Sequence, residues 1–215
     1  MKDIIIVGGG SVALEVYYTI MAINRYEVKN GNPEKYKVLG FLDDAMEVGK
    51  EHPKVHVPIL GTIKDWKPQD EEVYALGVAN PRTKELIATK LEARGCAFET
   101  IVKPDLYLAP EVEVGRGCFI GAYCICEGAK IGNFVNIMGS MVGGESEIGD
   151  YSTTLGFANI AAGGKLGKRV YVGSQAVILG VNVEDDAFVC VGSIVIRKVK
   201  TGTKVFGNPA KRVDW

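Results

Sequence analysis

The chain has 215 residues, 47% of them hydrophobic, with 25 basic against 26 acidic side chains. That length suits one large or two modest domains around a packed core. The even balance of charge excludes a general electrostatic field for gathering nucleic acid or an anionic membrane.

In chain order, "DIIIVGGG" reads as a strand entering a tight turn. Its apolar run, Ile4 to Val7, is too short for a signal sequence or a membrane span, so a cytoplasmic protein is expected. A helical pattern follows from Ser11 to about Asn24, then "YKVLGFLDD" and "EVYALGV" as strands. A second helix is expected from about Pro81 to Arg94, ended by Gly95, with "AFETIV" as a further strand. Strands alternating with helices predict parallel strands joined by crossover helices. Composition changes across "KPDLYLAPEVEVG", which places a boundary near Pro104 and gives expected units 1–104 and 105–215.

From Val114 onward the apolar signal recurs every six residues. Val142, Ile148, Thr154, Ile160, Leu166, Val172 and Ile178 form one series; Val183, Val189 and Val195 continue it after a step of five. Upstream, Val114 and Ile120, then Ile125, Ile131 and Ile137 repeat the pattern with five-residue breaks that periodicity does not explain. A six-residue rung is about 20 Å of extended chain. Three rungs with tight corners close a triangular coil whose periodic aliphatic residue points inward. An antiparallel sandwich is the alternative, but its hairpins need turn signals every 8–12 residues or so and would not keep a six-residue phase.

The turn Gly8-Gly9-Gly10-Ser11-Val12-Ala13 fits G-x-G-x-x-A between a strand and a helix, an arrangement that brings backbone N–H groups against a phosphate. Asp43 and Asp44 end the second strand, where an acid can meet a ribose hydroxyl, and Gly77 and Arg82 fall at the same strand-end crevice. Between Asp186 and Asp214 stand Arg197, Lys198, Lys200, Lys204, Lys211 and Arg212 with no acid among them. Such a patch suits the phosphates of a coenzyme, or it is a solvated tail.

The five cysteines are odd in number and lack an export signal, which favours free thiols. Cys124 and Cys126 alternate on one strand face with no second pair or nearby His, so they read as small buried residues and no metal site is expected. The only histidines, His52 and His56, lie in "KEHPKVHVPIL" and read as ordinary surface residues of a loop.

The hexads ending in "VFGNPAKRV" resemble the left-handed β-helix acyltransferases. Together with "IIIVGGGSVALEV", "GFLDD", "LGTIKDW" and "ALGVANPR", nearly the whole chain resembles bacterial sugar O- and N-acetyltransferases of the NeuD/PglD type. The resemblance implies a Rossmann-like α/β domain for a nucleotide-linked sugar, a left-handed parallel β-helix, acetyl-CoA as co-substrate and a homotrimer. It further implies pantetheine lying near the backbone of Ala162, Gly173 and Gly180, with Lys211 as a phosphate contact.

Four departures stand out. Val12 replaces a common family His, and the family's second and first β-helix histidines correspond to Thr153 and Lys103. In "MVGGESEIGD" the catalytic His corresponds to Gly144 and the acid after it to Glu145. A hydroxyl acceptor needs a positioned base, and an ordinary carboxylate of pKa about 4 is a weak one. A sugar amine is already partly neutral, so Glu145 can position it or accept its proton late. The expectation is therefore an acetyl-CoA-dependent sugar acetyltransferase for surface polysaccharide synthesis, working by direct transfer. The competing expectation is a catalytically silent scaffold or regulator that binds nucleotide sugar or coenzyme. A γ-type carbonic anhydrase on the same β-helix is weaker still, because its zinc histidines are missing.

Overall fold

The computed structural model describes residues 1–214. The first part holds β1 (Lys2–Val7), α1 (Ser11–Lys29), β2 (Tyr36–Leu42), β3 (Ile59–Gly61), β4 (Val73–Leu76), α2 (Pro81–Glu92) and β5 (Ala97–Phe98). The strands form one sheet in the order β3-β2-β1-β4-β5, parallel throughout. Ile4, Ile5, Ile6 and Val7 are all buried, as expected for a central parallel strand covered on both faces.

α1 buries Val12, Ala13, Val16, Ile20 and Ile23, a stripe at helical spacing against the sheet. It runs five residues beyond the expected end at Asn24, because that polar side chain faces inward and does not stop the helix. Asn24 Nδ2 donates to the Tyr36 carbonyl at 2.6 Å, and Tyr36 N–H donates back to Oδ1 at 3.0 Å. α2 starts as its sequence dictates: Pro81 occupies the first turn, and the Asn80 side chain caps it by accepting from Thr83 N–H at 3.0 Å.

The rest is a parallel β-solenoid with three faces. The first face runs through Ile101–Val102, Phe119–Gly121, Asn136–Met138, Thr153–Thr154, Tyr171–Val172, Phe188–Val189 and Lys204–Phe206, with Lys211–Arg212 added antiparallel at its end. The second runs from Tyr107–Leu108 through Met141–Val142 to Ile194–Val195, and the third from Glu113–Val114 through Glu147–Ile148 to Asn182–Val183. Within the expected strand "AFETIV", β5 pairs with β4 while Ile101–Val102 pairs with Phe119–Ile120, so this one stretch serves both sheets.

The six-residue series points inward as expected, with Val142, Ile148, Thr154, Ile160, Leu166, Val172 and Ile178 all at most 3% exposed. Each such aliphatic side chain contributes roughly 1.5–3 kcal/mol by leaving water. The five-residue breaks are shortened corners. Ile120 to Ile125 and Ile137 to Val142 both cross from the first face to the second on successive coils, and Ile178 to Val183 crosses from the second to the third. Strand pairing stays in register across them, as in Tyr107–Cys124–Met141.

Cys124 and Cys126 depart from expectation: both are half-buried, because they flank inward-pointing Ile125 and so face outward. Among the described residues no helix is long and apolar enough to cross a membrane.

Candidate functional site

Two groups of predicted site residues lie on different sides of the molecule. The first is a crevice of about 410 Å³ at the C-terminal ends of β1, β2 and β4, lined by Gly8, Gly10, Ser11, Asp43, Asp44 and Gly77 among others. Gly10 is the N-cap of α1 and provides no side-chain cap, so the first-turn N–H groups open towards the crevice. Gly77 is needed for close approach: a Cβ there would sit 2.5 Å from Ala13 Cα.

Asp43 does more than face a ligand. Its Oδ2 accepts from Gly9 N–H at 2.8 Å, and its Oδ1 accepts from Ala45 and Met46 N–H at 2.8 and 3.1 Å. Gly8 N–H donates to the Leu42 carbonyl at 2.8 Å, so two N–H groups of the glycine turn are already used and the free donors here belong to the uncapped start of α1. Asp44 Oδ1 accepts from Lys64 N–H at 3.1 Å. Arg82 is turned away: its Nε pairs with Asp186 at 3.2 Å, and it does not line the crevice. Asp186 also binds the Arg169 guanidinium, which holds its carboxyl below the usual range.

Sequence reading missed His52. It is 2% exposed, and Lys54 N–H donates to its Nδ1 at 3.2 Å, which leaves Nε2–H to donate to the Gly9 carbonyl at 3.0 Å. The ring packs on Phe41 and fixes the glycine turn from below. Only His56 is the exposed loop residue expected of both, and no periodic signal marks the difference.

The second group sits at the corner between the second and third faces. Glu145 is exposed with φ 56°, and its N–H donates to the Glu127 carbonyl at 3.0 Å on the preceding coil. A Cβ on Gly144 would lie 3.2 Å from both the Glu127 carbonyl and Glu127 Oε1, so a glutamate of the preceding coil borders the position of the implied histidine, while the Glu145 carboxylate lies over Gly128. Glu127 was also missed; it stands one coil before Gly144. Neither glutamate forms an ion pair among the described residues.

Ala162 and Gly180 follow on the next coils at this corner: Gly163 N–H donates to the Gly144 carbonyl at 2.9 Å, and a Cβ on Gly180 would sit 3.1 Å from the Ala162 carbonyl. Gly173 belongs to a different corner, against Val191, and exposed Lys211 pairs with Phe206 at the end of the first face. The structure thus brings Glu145, Ala162 and Gly180 together and leaves Gly173 and Lys211 apart from them. No group of three or more His, Cys, Asp or Glu side chains that could hold a metal occurs among the described residues.

The crevice is tied to the first face of the solenoid. Asn136 Nδ2 donates to the Val78 carbonyl at 2.9 Å and the Thr153 hydroxyl to the Ala79 carbonyl at 2.7 Å. Phe134 stacks on Tyr151 at 5.5 Å between centroids and meets Phe98 edge-on. The Glu145 corner lies across the coil from this contact.

No protein-family profile matches the chain. Among curated proteins it is similar to serine acetyltransferase of Helicobacter pylori, 35% identical over 107 residues, covering 44% of this chain and 63% of that protein. It is also similar to the bifunctional protein GlmU of Clostridium novyi, 27% identical over 135 residues, covering 54% of this chain and 27% of that protein. The chain therefore spans less than two thirds of either curated relative.

Solved structures share the fold from end to end. A point mutant of perosamine N-acetyltransferase of Caulobacter crescentus, in complex with CoA and GDP-perosamine, superposes with TM-score 0.84 at 21% identity, covering 100% of this chain and 98% of that one. WeeI of Acinetobacter baumannii gives TM-score 0.83 at 25% identity, covering 99% and 100%. The acetyltransferase domain of PglB from Neisseria gonorrhoeae gives 0.82 at 18% identity, covering 99% and 100%. These likenesses support the left-handed hexapeptide β-helix expected from the sequence.

Proposed function

We propose that the protein is an acetyl-CoA-dependent acetyltransferase acting on a nucleotide-linked amino sugar in glycan or surface-polysaccharide synthesis. The observation that carries this reading is the crevice itself. An uncapped α1 N-terminus faces one side for a phosphate, and Asp43 and Asp44 face the other for sugar hydroxyls or base N–H groups. The curated serine acetyltransferase and the solved acetyltransferase structures with bound coenzyme agree in reaction class with that reading. Residues 1–104 act as a Rossmann-like nucleotide-sugar unit and 105–215 as the acyltransferase unit of a cytoplasmic enzyme.

The acceptor amine attacks the thioester carbonyl directly, the C–S bond breaks and coenzyme thiolate leaves. Glu145, beside Glu127, orients the amine and takes the proton that its nitrogen sheds. With no imidazole at Gly144, a neutral amine is the acceptor that two carboxylates can serve. Ala162 and Gly180 line the pantetheine path above Glu145, while Gly173 and Lys211 serve from another copy. The reading takes the enzyme as a homotrimer, in which the crevice of one chain serves the Glu145 corner of a neighbouring copy.

A second reading, a silent scaffold that binds nucleotide sugar or coenzyme, is favoured by Gly144 and Thr153 standing where histidines are implied. Turnover separates the two. Acetyl transfer to a nucleotide-linked amino sugar, abolished by Glu145→Ala, supports the enzyme. Saturable coenzyme binding with no transfer to any nucleotide-linked amine supports the scaffold.

A further inference from the structure

The crevice is lined by Asp43 and Asp44 but by no lysine or arginine. Behind its wall lies Lys84, 0% exposed, in the first turn of α2 beside the lining residue Thr83. Lys84 Nζ donates to the Ser152 carbonyl at 3.0 Å and to Thr153 Oγ1 at 2.8 Å. The Thr153 hydroxyl in turn donates to the carbonyl of Ala79, a wall residue, at 2.7 Å. One line of hydrogen bonds therefore runs from a buried amine to the crevice.

No described carboxylate pairs with this amine. Its α2 neighbours Arg82 and Glu85 are engaged with Asp186 and Arg169. On the solenoid, Asp150 is held by Lys168 and by Asn133 N–H. Ser152, Thr153 and Asn136 are neutral, and the remaining titratable neighbour is the Cys118 thiol, which burial pushes up to about 11. Burial pulls the Lys84 ammonium down to about 7, so both forms are populated at neutral pH. The neutral amine already makes both bonds. Protonation adds a third N–H, and on the adjacent strand Asn136, the register partner of Thr153, holds a buried Oδ1 with no partner among the described residues.

We propose that Lys84 is a proton-coupled counter-charge for the crevice: a diphosphate seated at the first turn of α1 is balanced by proton uptake on this buried amine. The inference rests on the crevice being the nucleotide-sugar site. It makes Lys84 a positioning residue, which acts through Thr153 and the Ala79 carbonyl and does not touch the ligand.

The test is calorimetric titration with UDP-N-acetylglucosamine and GDP-mannose, whose diphosphate diesters carry no titrating proton near neutrality, in HEPES and in Tris. Wild type is expected to take up about half a proton near pH 7.5 and to bind up to about tenfold more weakly at pH 9 than at pH 6.5, as for a rise of one pKa unit on Lys84. Lys84→Met is expected to bind with no proton uptake and no such pH dependence. Binding by wild type without proton uptake, or equal uptake by the Met variant, overturns the coupling. No binding by either protein overturns the crevice reading and the coupling with it.

Thermal unfolding of both proteins from pH 6 to 10 reads the titration independently of any ligand. Above pH about 7 the unfolded chain binds a proton at Lys84 that the folded chain does not, so wild type must gain stability relative to Lys84→Met as pH rises. A flat difference overturns the buried titration on which the coupling depends.

Discussion

Asn136, on the first face of the solenoid, donates its side-chain amide to the Val78 carbonyl at 2.9 Å, fastening the wall of the crevice to the β-helix. The side chain is fully buried. Asn136→Asp would set a carboxylate against a carbonyl oxygen where only a donor fits. The expected loss is about 1–3 kcal/mol at pH 7.5, from the Val78 carbonyl left without its donor, with the new charge partly offset by proton uptake on the nearby Lys84 amine. The new carboxyl would titrate above its unfolded value, so the loss should shrink as pH falls towards about 4. Urea unfolding at pH 7.5 and 4.5 checks both the size and the sign.

Gly144 lies against Glu127 of the preceding coil, and its backbone is not in the left-handed region, so a side chain is tolerated there with a small shift of Glu127. Gly144→His should install a base that the Glu127 carboxylate can orient. Transfer to a sugar hydroxyl is expected to rise by about 10²-fold, the lower end of what a positioned base provides. Steady-state kcat with hydroxyl and amine acceptors is the measurement; an unchanged hydroxyl rate would place the chemistry away from this corner.

At Gly77 a Cβ would approach Ala13 Cα and Cβ to 2.5 and 2.6 Å, backbone against helix start. Gly77→Ala should therefore push α1 from β4 and open the crevice. A loss of about 1–3 kcal/mol, typical of overpacking, is expected together with weaker nucleotide binding. Equal stability in chemical denaturation would show that α1 docks less tightly than this geometry requires.

The inward ladder is uniform enough to give a contrast. Ile137 and Ile178 are 0% exposed, and truncation of either to Ala should cost about 2–5 kcal/mol. Lys130→Ala, on an exposed outward position, should stay within about 0.5 kcal/mol. Denaturation midpoints of the three variants test whether the coil interior carries the stability.

The solenoid was legible because its repeat is local: each coil needs an inward aliphatic residue at nearly fixed spacing, and that spacing is written in the chain. Periodicity could not say why the step drops to five. That follows from which corner is shortened, and the corner exists only when coils stack. The same limit hid His52 and Glu127. His52 matters because a loop folds back beneath Gly9, and Glu127 because the next coil places it beside Gly144.

By itself the sequence determined the alternation of strands and helices in the first part, the inward face of every coil and the glycine turn at the start of α1. These depend on backbone propensity and on side-chain period, both set within a few residues. Tertiary structure alone decided that Arg82 turns to Asp186, that Asp43 consumes the Gly9 N–H, and that Lys84 is buried beside Thr153. Each joins residues 34 to 104 positions apart, and the energy of such contacts depends on desolvation and geometry that no local pattern encodes.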